Sequence, residues 1–415
     1  MILKQKLQAL VILICLCANS LGFSQSNSIS TSQLSGKINT VTTAVPFLMI
    51  GPDSRAGAMG DAGVATSADV NSIHWNPSKL AFVEKNAGLG ISYTPWLRQL
   101  IGDINLGYLS GYKKLKKDAA IGASLRYFSL GDITFTDVVG TTIGNFKPHE
   151  LAVDVAYARK LSKNFSGGLA IRYIASDLTN GITLASGGST KVGRSVAADV
   201  SGYYHNDEIK ISDKKSVVTV GLNISNIGSR ISYTETAQRD FIPINLRLGA
   251  GLKIIADEYN TIAFTVEAGK LLTPTAPLYA FDSTGAPLVD TDGKKIIEKG
   301  KDPNRGVVSG MLGSFNDAPG GGKEELKEVT LAGGIEYWYD NLLAIRAGYF
   351  NEAATKGNRK YFTFGVGVKY NVFGLDFSYL IPTKQNNPLQ NTLRFSLLFD
   401  FDGVKAEEKA PEENN

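Results

Sequence analysis

Leu393-Arg394-Phe395-Ser396-Leu397 decides how this chain is built. Leu393, Phe395, Leu397 and Phe399 alternate with Arg394, Ser396 and Asp400, the period of two that gives a β-strand two unlike faces. The same pattern sets Ile244, Leu246, Leu248 and Leu252 against Asn245, Arg247, Gly249 and Gly251. It returns in Phe362, Phe364, Val366 and Val368 against Thr363, Gly365, Gly367 and Lys369. In a soluble sandwich the apolar face would be core; in a membrane barrel it faces lipid and the polar face lines the lumen.

Outward from that segment the pattern recurs at 87–93, 104–112, 119–128, 149–160, 165–176, 193–204, 215–224, 243–255, 259–270, 327–338, 342–349, 361–370, 373–380 and 391–401, about fourteen strands in all. An even number closes an antiparallel barrel with both termini on one side, and closure leaves no unpaired backbone edge in hydrocarbon. The connections sort by parity. Lys113–Asp118, Leu161–Asn164, His205–Lys214, Ala256–Glu258, Tyr339–Asn341 and Asn371–Val372 are short. Those at 94–103, 129–148, 177–192, 225–242, 271–326, 350–360 and 381–390 are mostly longer. Outer-membrane barrels have short periplasmic turns and long outer loops, so the sequence predicts an all-β membrane protein with a closed antiparallel transmembrane barrel over 87–401 and both termini periplasmic.

The rest of the chain fits that reading. Lys4 and Lys6 precede an uncharged apolar run from Leu7 to Leu21, the layout of a secretory signal peptide over 1–25. Both cysteines, Cys15 and Cys17, fall inside it, which leaves no thiol for a disulfide or a metal. His74, His149 and His205 stand far apart in sequence, and no cofactor or metal is expected. No later stretch approaches about 18 consecutive apolar residues, which excludes a helical span but not barrel strands. A net charge of +4 with both signs interleaved gives no nucleic-acid footprint. The 44 glycines, 19 Phe and 17 Tyr suit β structure with close backbone approaches.

Strand parity places Arg126, Asp154, Arg172, Asp199, Arg247, Glu267, Glu336, Arg346, Lys369, Asp376 and Arg394 on the lumen face. Their mixed signs predict an ion-paired interior network in preference to a wide pore of one charge.

Ahead of the barrel, 26–86 divides into a Ser-, Thr- and Asn-rich lead, expected to be flexible, and a small-residue run in which Gly57, Gly60 and Gly63 recur every three residues. That spacing strips side chains from one surface and permits close packing. The run lacks the preceding strand and the following Gly-Lys-Ser/Thr of a phosphate cradle. Pro77 biases Asn76 away from helix, ending a short helical stretch at His74-Trp75. The motifs Pro52-Asp53-Ser54-Arg55-Ala56-Gly57, Met59-Gly60-Asp61-Ala62-Gly63-Val64-Ala65 and His74-Trp75-Asn76-Pro77 resemble the N-terminal signature of the PorV family, the outer-membrane barrel of the type IX secretion system. That family is related to the FadL fatty-acid channels. Ser78 stands where the looser FadL pattern has alanine. The resemblance implies a FadL-like barrel with an N-terminal plug or hatch holding Asp53, Arg55, Gly57, Gly60, Asp61, Gly63, His74, Trp75, Asn76 and Pro77. It also implies a shuttle that takes the C-terminal signal domain of secreted cargo, associates with the translocon barrel SprA and passes cargo to cell-surface attachment proteins.

Cargo recognition would fall to the outer loops, which carry recognition on a rigid scaffold. Trp96, Leu97, Leu100 and Ile101 are expected there as an exposed apolar patch, either a contact surface or an anchor among lipid and lipopolysaccharide headgroups. In the long loop 271–326, Asp290-Thr291-Asp292-Gly293 lacks the remaining ligand spacing of a calcium loop and reads as a solvated turn. The end of the chain, 402–415, is a short acidic tail. Two rival readings are a FadL-type channel for hydrophobic small molecules and a surface enzyme. The enzyme has no Gly-x-Ser-x-Gly elbow or singled-out acid–base pair behind it.

Overall fold

A computed structural model describes residues 38–98, 101–136, 139–179, 189–234, 239–284, 286–385 and 387–401. The leader at 1–25, residues 26–37 of the lead that follows it, Leu100 and the acidic tail lie outside those residues.

The barrel strands are β1 Ala87–Pro95, β2 Asn105–Lys116, β3 Ala119–Ser129, β4 His149–Lys160, β5 Phe165–Asp177, β6 Gly193–Ile211 and β7 Lys214–Gly228. They continue as β8 Asn245–Ile255, β9 Asn260–Leu271, β10 Thr330–Tyr339, β11 Leu343–Asn351, β12 Lys360–Tyr370, β13 Phe373–Pro382 and β14 Leu393–Phe401. Each pairs antiparallel with its sequence neighbours, and β1 closes on β14 in a register running from Ala87↔Phe401 to Tyr93↔Phe395. The fold is a closed fourteen-stranded antiparallel barrel.

Its two faces are inverted relative to a soluble protein. On β4, Val155 is 60% exposed while Asp154 beside it is 1% exposed. Ile171 and Arg172 on β5 repeat the contrast at 66% and 3%. Leaving the aliphatic side chains out and burying the charged ones is stable only where the outer medium is itself apolar. No described helix is long and apolar enough to cross a membrane.

One end of the barrel carries only tight turns. Ser212–Asp213, with φ of 50° and 64°, forms a two-residue hairpin matching the strand twist, and Asp340 and Asn341, at 52° and 51°, begin a three-residue turn. The first of these corrects an expectation: 205–211 is not a loop but a continuation of β6. Ile244 also departs from the outward pattern. It lies just ahead of β8, fully buried with Phe241 and Leu272. The opposite end carries the long loops. One contains a hairpin of Ile133–Thr136 with Thr142–Phe146. The longest, 272–329, contains Leu278–Tyr279 paired with Ile297–Lys299 and, later, two short helices.

Between 44 and 83 the chain lies inside the ring. Pro46–Met49 forms a 3-10 turn, α1 spans Ser54–Ala58, α2 spans Ser72–Trp75 and Pro77–Phe82 forms a second 3-10 turn. Asp53 caps α1 by accepting from the Ala56 amide at 2.9 Å. Asn76 at φ −165° ends α2 in extended backbone, as the following proline requires. Two apolar clusters seat the segment. Phe47 and Leu48 meet Leu106, Phe128, Ala152 and Ile174 of the wall, and Ile73 and Leu80 meet Tyr108, Ala120, Ala156 and Ala170.

Candidate functional site: the inner segment and two chambers

The inner segment is fixed to opposite walls by different chemistry. Toward β10–β14 ion pairs dominate, alongside neutral bonds between the Ser396 and Thr363 hydroxyls and Ser54, Ala58 and Gly60. Arg55 donates twice to Glu336, Nε to Oε2 at 2.9 Å and Nη2 to Oε1 at 2.7 Å, and its Nη1 reaches Asp69 at 2.9 Å. Glu336 also takes Arg346 Nε at 2.7 Å, and Arg346 Nη1 reaches Asp376 at 2.6 Å. The result is one line of alternating charge, Asp69–Arg55–Glu336–Arg346–Asp376, in which each buried ion has an opposite neighbour. A second link joins Asp61 to Arg394 Nη1 at 2.6 Å and to the Tyr361 hydroxyl at 2.6 Å.

Toward β3–β9 most bonds are neutral. Asn76 Nδ2 donates to the carbonyls of Val64 and Gly202 at 3.0 and 3.1 Å, while Asn223 donates to the Trp75 carbonyl at 3.0 Å. Ser166 donates to the Ser78 carbonyl, Thr219 to that of Ala65 and Tyr203 to that of Thr66. Arg126 donates to the Leu48 carbonyl and to His74 Nδ1, which leaves the His74 proton on Nε2.

The glycine run works by close approach. A Cβ at Gly60, whose φ is +73°, would fall 2.5 Å from the Tyr349 carbonyl oxygen of β11. Gly63 lies against the Trp75 ring and Gly57 against Arg394. The amides of Gly63 and Val64 do form an anion cradle, at 2.8 and 2.9 Å, but the anion is the chain's own Glu267. Glu267 also pairs with Arg247 at 3.0 Å, and Arg247 stacks over Trp75 at 4.6 Å. Trp75 Nε1 in turn donates to Asp53 at 2.6 Å.

The inner segment separates two chambers that share no lining residue. At the turn end a cavity of about 600 Å³ is bounded by Arg55, Asp69, Lys253, Trp338, Lys369 and Asp400. At the loop end a cavity of about 490 Å³ has an apolar wall of Phe47, Ile50, Trp96, Phe128 and Leu130 facing Arg247, Arg359 and Arg394. Lys356 and Lys270 tie Glu328 down at the rim of the loop end, the first at 2.9 Å, with Glu324 and Glu325 completing the cluster.

Of the residues assigned to the lumen by strand parity, Arg126, Asp154, Arg172, Asp199, Glu336, Arg346 and Arg394 are buried. Arg172 pairs with Asp154 and Asp199, and Lys369 pairs with Asp400 at 2.7 Å. The inner-segment residues Asp53, Arg55, Gly57, Gly60, Asp61, Gly63, His74, Trp75, Asn76 and Pro77 all lie in the segment just described. The loop patch requires correction. Thr94 belongs to β1, and Trp96 and Leu97 are half-buried, turned onto the Phe47 cluster instead of outward. An indole and an isobutyl group beside an apolar cavity bury more surface inward than a polar rim would leave them. Ile101 stays exposed. The Asp290 turn is held by its own carboxylate, which accepts from the Asp292 and Lys294 amides at 3.0 and 2.9 Å.

Several residues here escape a reading by sequence. Lys79 is fully buried, donating to the Gly63 carbonyl and Thr66 at 2.9 and 2.8 Å. Its only signal is a lone charge between Pro77-Ser78 and Leu80-Ala81-Phe82. Tyr361 and Thr363 anchor the inner segment from alternate positions of β12, where nothing in sequence distinguishes them from other lumen residues.

Comparison with known proteins gives a match to the family model described as type IX secretion system protein PorV over residues 33–278. No curated protein matches the chain. Among solved structures, the Pseudomonas putida toluene transporter TodX aligns at 13% identity and a TM-score of 0.46, covering 86% of this chain and 99% of its own. A Pseudomonas aeruginosa FadL homologue aligns at 11% identity and a TM-score of 0.43, covering 88% and 100%. The closed barrel itself rests on this chain's own strand pairing.

Proposed function

Because this chain belongs to the PorV family of the type IX secretion system, we propose that it is an outer-membrane carrier that holds secreted cargo by its C-terminal signal domain. In this reading it associates with the translocon barrel SprA and hands cargo to attachment proteins at the cell surface. The family match carries the reading, since it spans the inner segment and the first nine strands. The architecture supports it. Two chambers on either side of a bonded inner segment suit a barrel that displays cargo at one end better than one that threads it through the lumen. The loop end faces outside and both termini face the periplasm, because long loops belong to the outer side of such barrels. The inner segment acts as a hatch, and the protein is a carrier and not an enzyme.

An affinity capture of the tagged protein from gently solubilised outer membranes tests this. The expected result is co-recovery of the giant translocon barrel and of proteins sharing one C-terminal domain. Recovery of neither, from membranes that contain both, would sink the carrier reading.

One observation favours a second reading, a channel for hydrophobic small molecules. The loop-end cavity sets an apolar wall against guanidinium groups, a shape and polarity that fit an amphiphile. That reading expects mass spectrometry of the protein purified alone to find a stoichiometric bound lipid or fatty acid.

A further inference from the structure

The longest loop does not stand free above the barrel. Its first helix, α3 (Val307–Gly313), and its second, α4 (Gly322–Lys327), return to the wall. Val307 and Met311 pack on Phe241, Ile244 and Leu272 together with Ile224 and Leu246. Ile224 pairs with Leu246 across β7 and β8, and Leu246 pairs with Lys270 across β9. These three share the outward parity of Leu222 and Leu248, which are 43% and 52% exposed on the lipid-facing surface. The helix therefore rests on the outside of the barrel. Gly310 makes this possible, because a Cβ there would fall 2.7 Å from the Phe241 ring. Nearby, α4 is tied to Lys270 through Glu325 and Glu328.

Having buried one face on the wall, α3 shows a second apolar face to its surroundings. Val308, Leu312 and Phe315, spaced four and three residues apart on one stripe, are 61%, 66% and 50% exposed. On α4, Leu326 is 75% exposed, and the exposed Lys323 and Lys327 lie three residues before it and one after it. An aqueous loop gains nothing from such a stripe. An interfacial helix needs it, with lysines whose stems lie along apolar surface while their ammonium groups reach phosphates. The wall under the helix belongs to the barrel's lipid-facing side, because Leu246, in the cluster beneath α3, has the same outward parity as Leu248 two residues on.

We infer that α3 and Leu326 form a membrane-seated ledge on the β7–β9 side, embedded at the boundary between acyl chains and phosphate headgroups of the leaflet at the loop end. The ledge fixes the base of the longest loop at a constant height, so that the Phe281–Ile296 part of the loop is held above a defined sector of the rim. The inference rests on the barrel spanning the outer membrane and not on what cargo it carries.

The test places a photoreactive p-benzoylphenylalanine in the full chain at Leu312 and, separately, at Leu248, with heat-modifiable gel migration confirming that each variant folds. After irradiation in native outer membranes, both positions are expected to give an adduct heavier by one lipid. A lipid adduct at Leu248 with a protein adduct at Leu312 would overturn the ledge in favour of a docked partner. A lipid adduct at Leu248 with none at Leu312 would overturn it in favour of an aqueous helix. Absence of lipid at both positions would overturn the membrane-spanning reading and the ledge with it.

Discussion

Two segments of this chain pack on the barrel wall without being part of it, one on the inside and one on the outside, and they are held in opposite ways. The inner segment is buried over most of its length, glycine-stripped where it meets the wall, and bonded mainly by charge on one flank and mainly by amides and hydroxyls on the other. The loop at 272–329 is mostly exposed, rests on a few aliphatic contacts and is charge-bonded in one cluster at the rim. A segment held at many buried points moves only if several fail together. A loop held at few can be read, gripped or displaced without disturbing the barrel. The contrast makes the inner segment the more permanent of the two and the loop the more easily displaced.

The sharpest way to break that comparison is Glu336→Ala. It leaves Arg55 and Arg346 buried with one carboxylate each in place of two, and stripping a buried pair of one member costs about 3–5 kcal/mol. Thermal unfolding followed by heat-modifiable migration should show a large loss of stability. An unchanged midpoint would mean that the inner segment is held by packing alone. Asn76→Ala tests the neutral flank. It removes two neutral hydrogen bonds, to the Val64 and Gly202 carbonyls, each contributing about 0.5–1.5 kcal/mol net, so the variant should be less damaging than the first.

Acidification probes the outer attachment. Burial alone would raise the Glu328 carboxyl, but hydrogen bonds from Lys270, Lys356 and Thr275 outweigh it and hold the group below its ordinary value of 4.5. A depressed carboxyl contributes stability that is fully present above that ordinary value and is lost as pH falls through the folded value. Protease access to 272–329 should therefore rise as pH drops below the ordinary value, while the barrel stays folded. Glu328→Gln should give higher access already at neutral pH and flatten the dependence. The smallest effect belongs to Asp290→Ala, which removes the carboxylate from an exposed turn. It should leave global stability within about 0.5 kcal/mol and change only local protease cleavage.

Much of the barrel was legible because its signal is local. Alternation at a period of two needs only neighbouring residues, and the expected 149–160 coincides with β4. Where the reading slipped, the cause was also local. His205-Asn206-Asp207-Glu208 is polar on both faces because β6 runs beyond the apolar belt there, so the alternation stops before the strand does. Trp96 and Leu97 show the limit differently. Large apolar residues in a loop state that they will be covered, but not by what, and the Phe47 cluster that covers them lies some fifty residues earlier in the chain.

By itself, then, the sequence determined the strands, their number and the sorting of long and short connections, because each follows from side-chain alternation and turn chemistry over a few residues. Only the tertiary structure decided the pairings: that Arg55 takes a carboxylate 281 residues away, that the glycine amides hold Glu267, and that α3 lies on the outer wall. Those contacts depend on strand register, barrel closure and the path of the inner chain. Many alternative pairings of the same mixed charges satisfy the composition equally well, and only one satisfies the geometry.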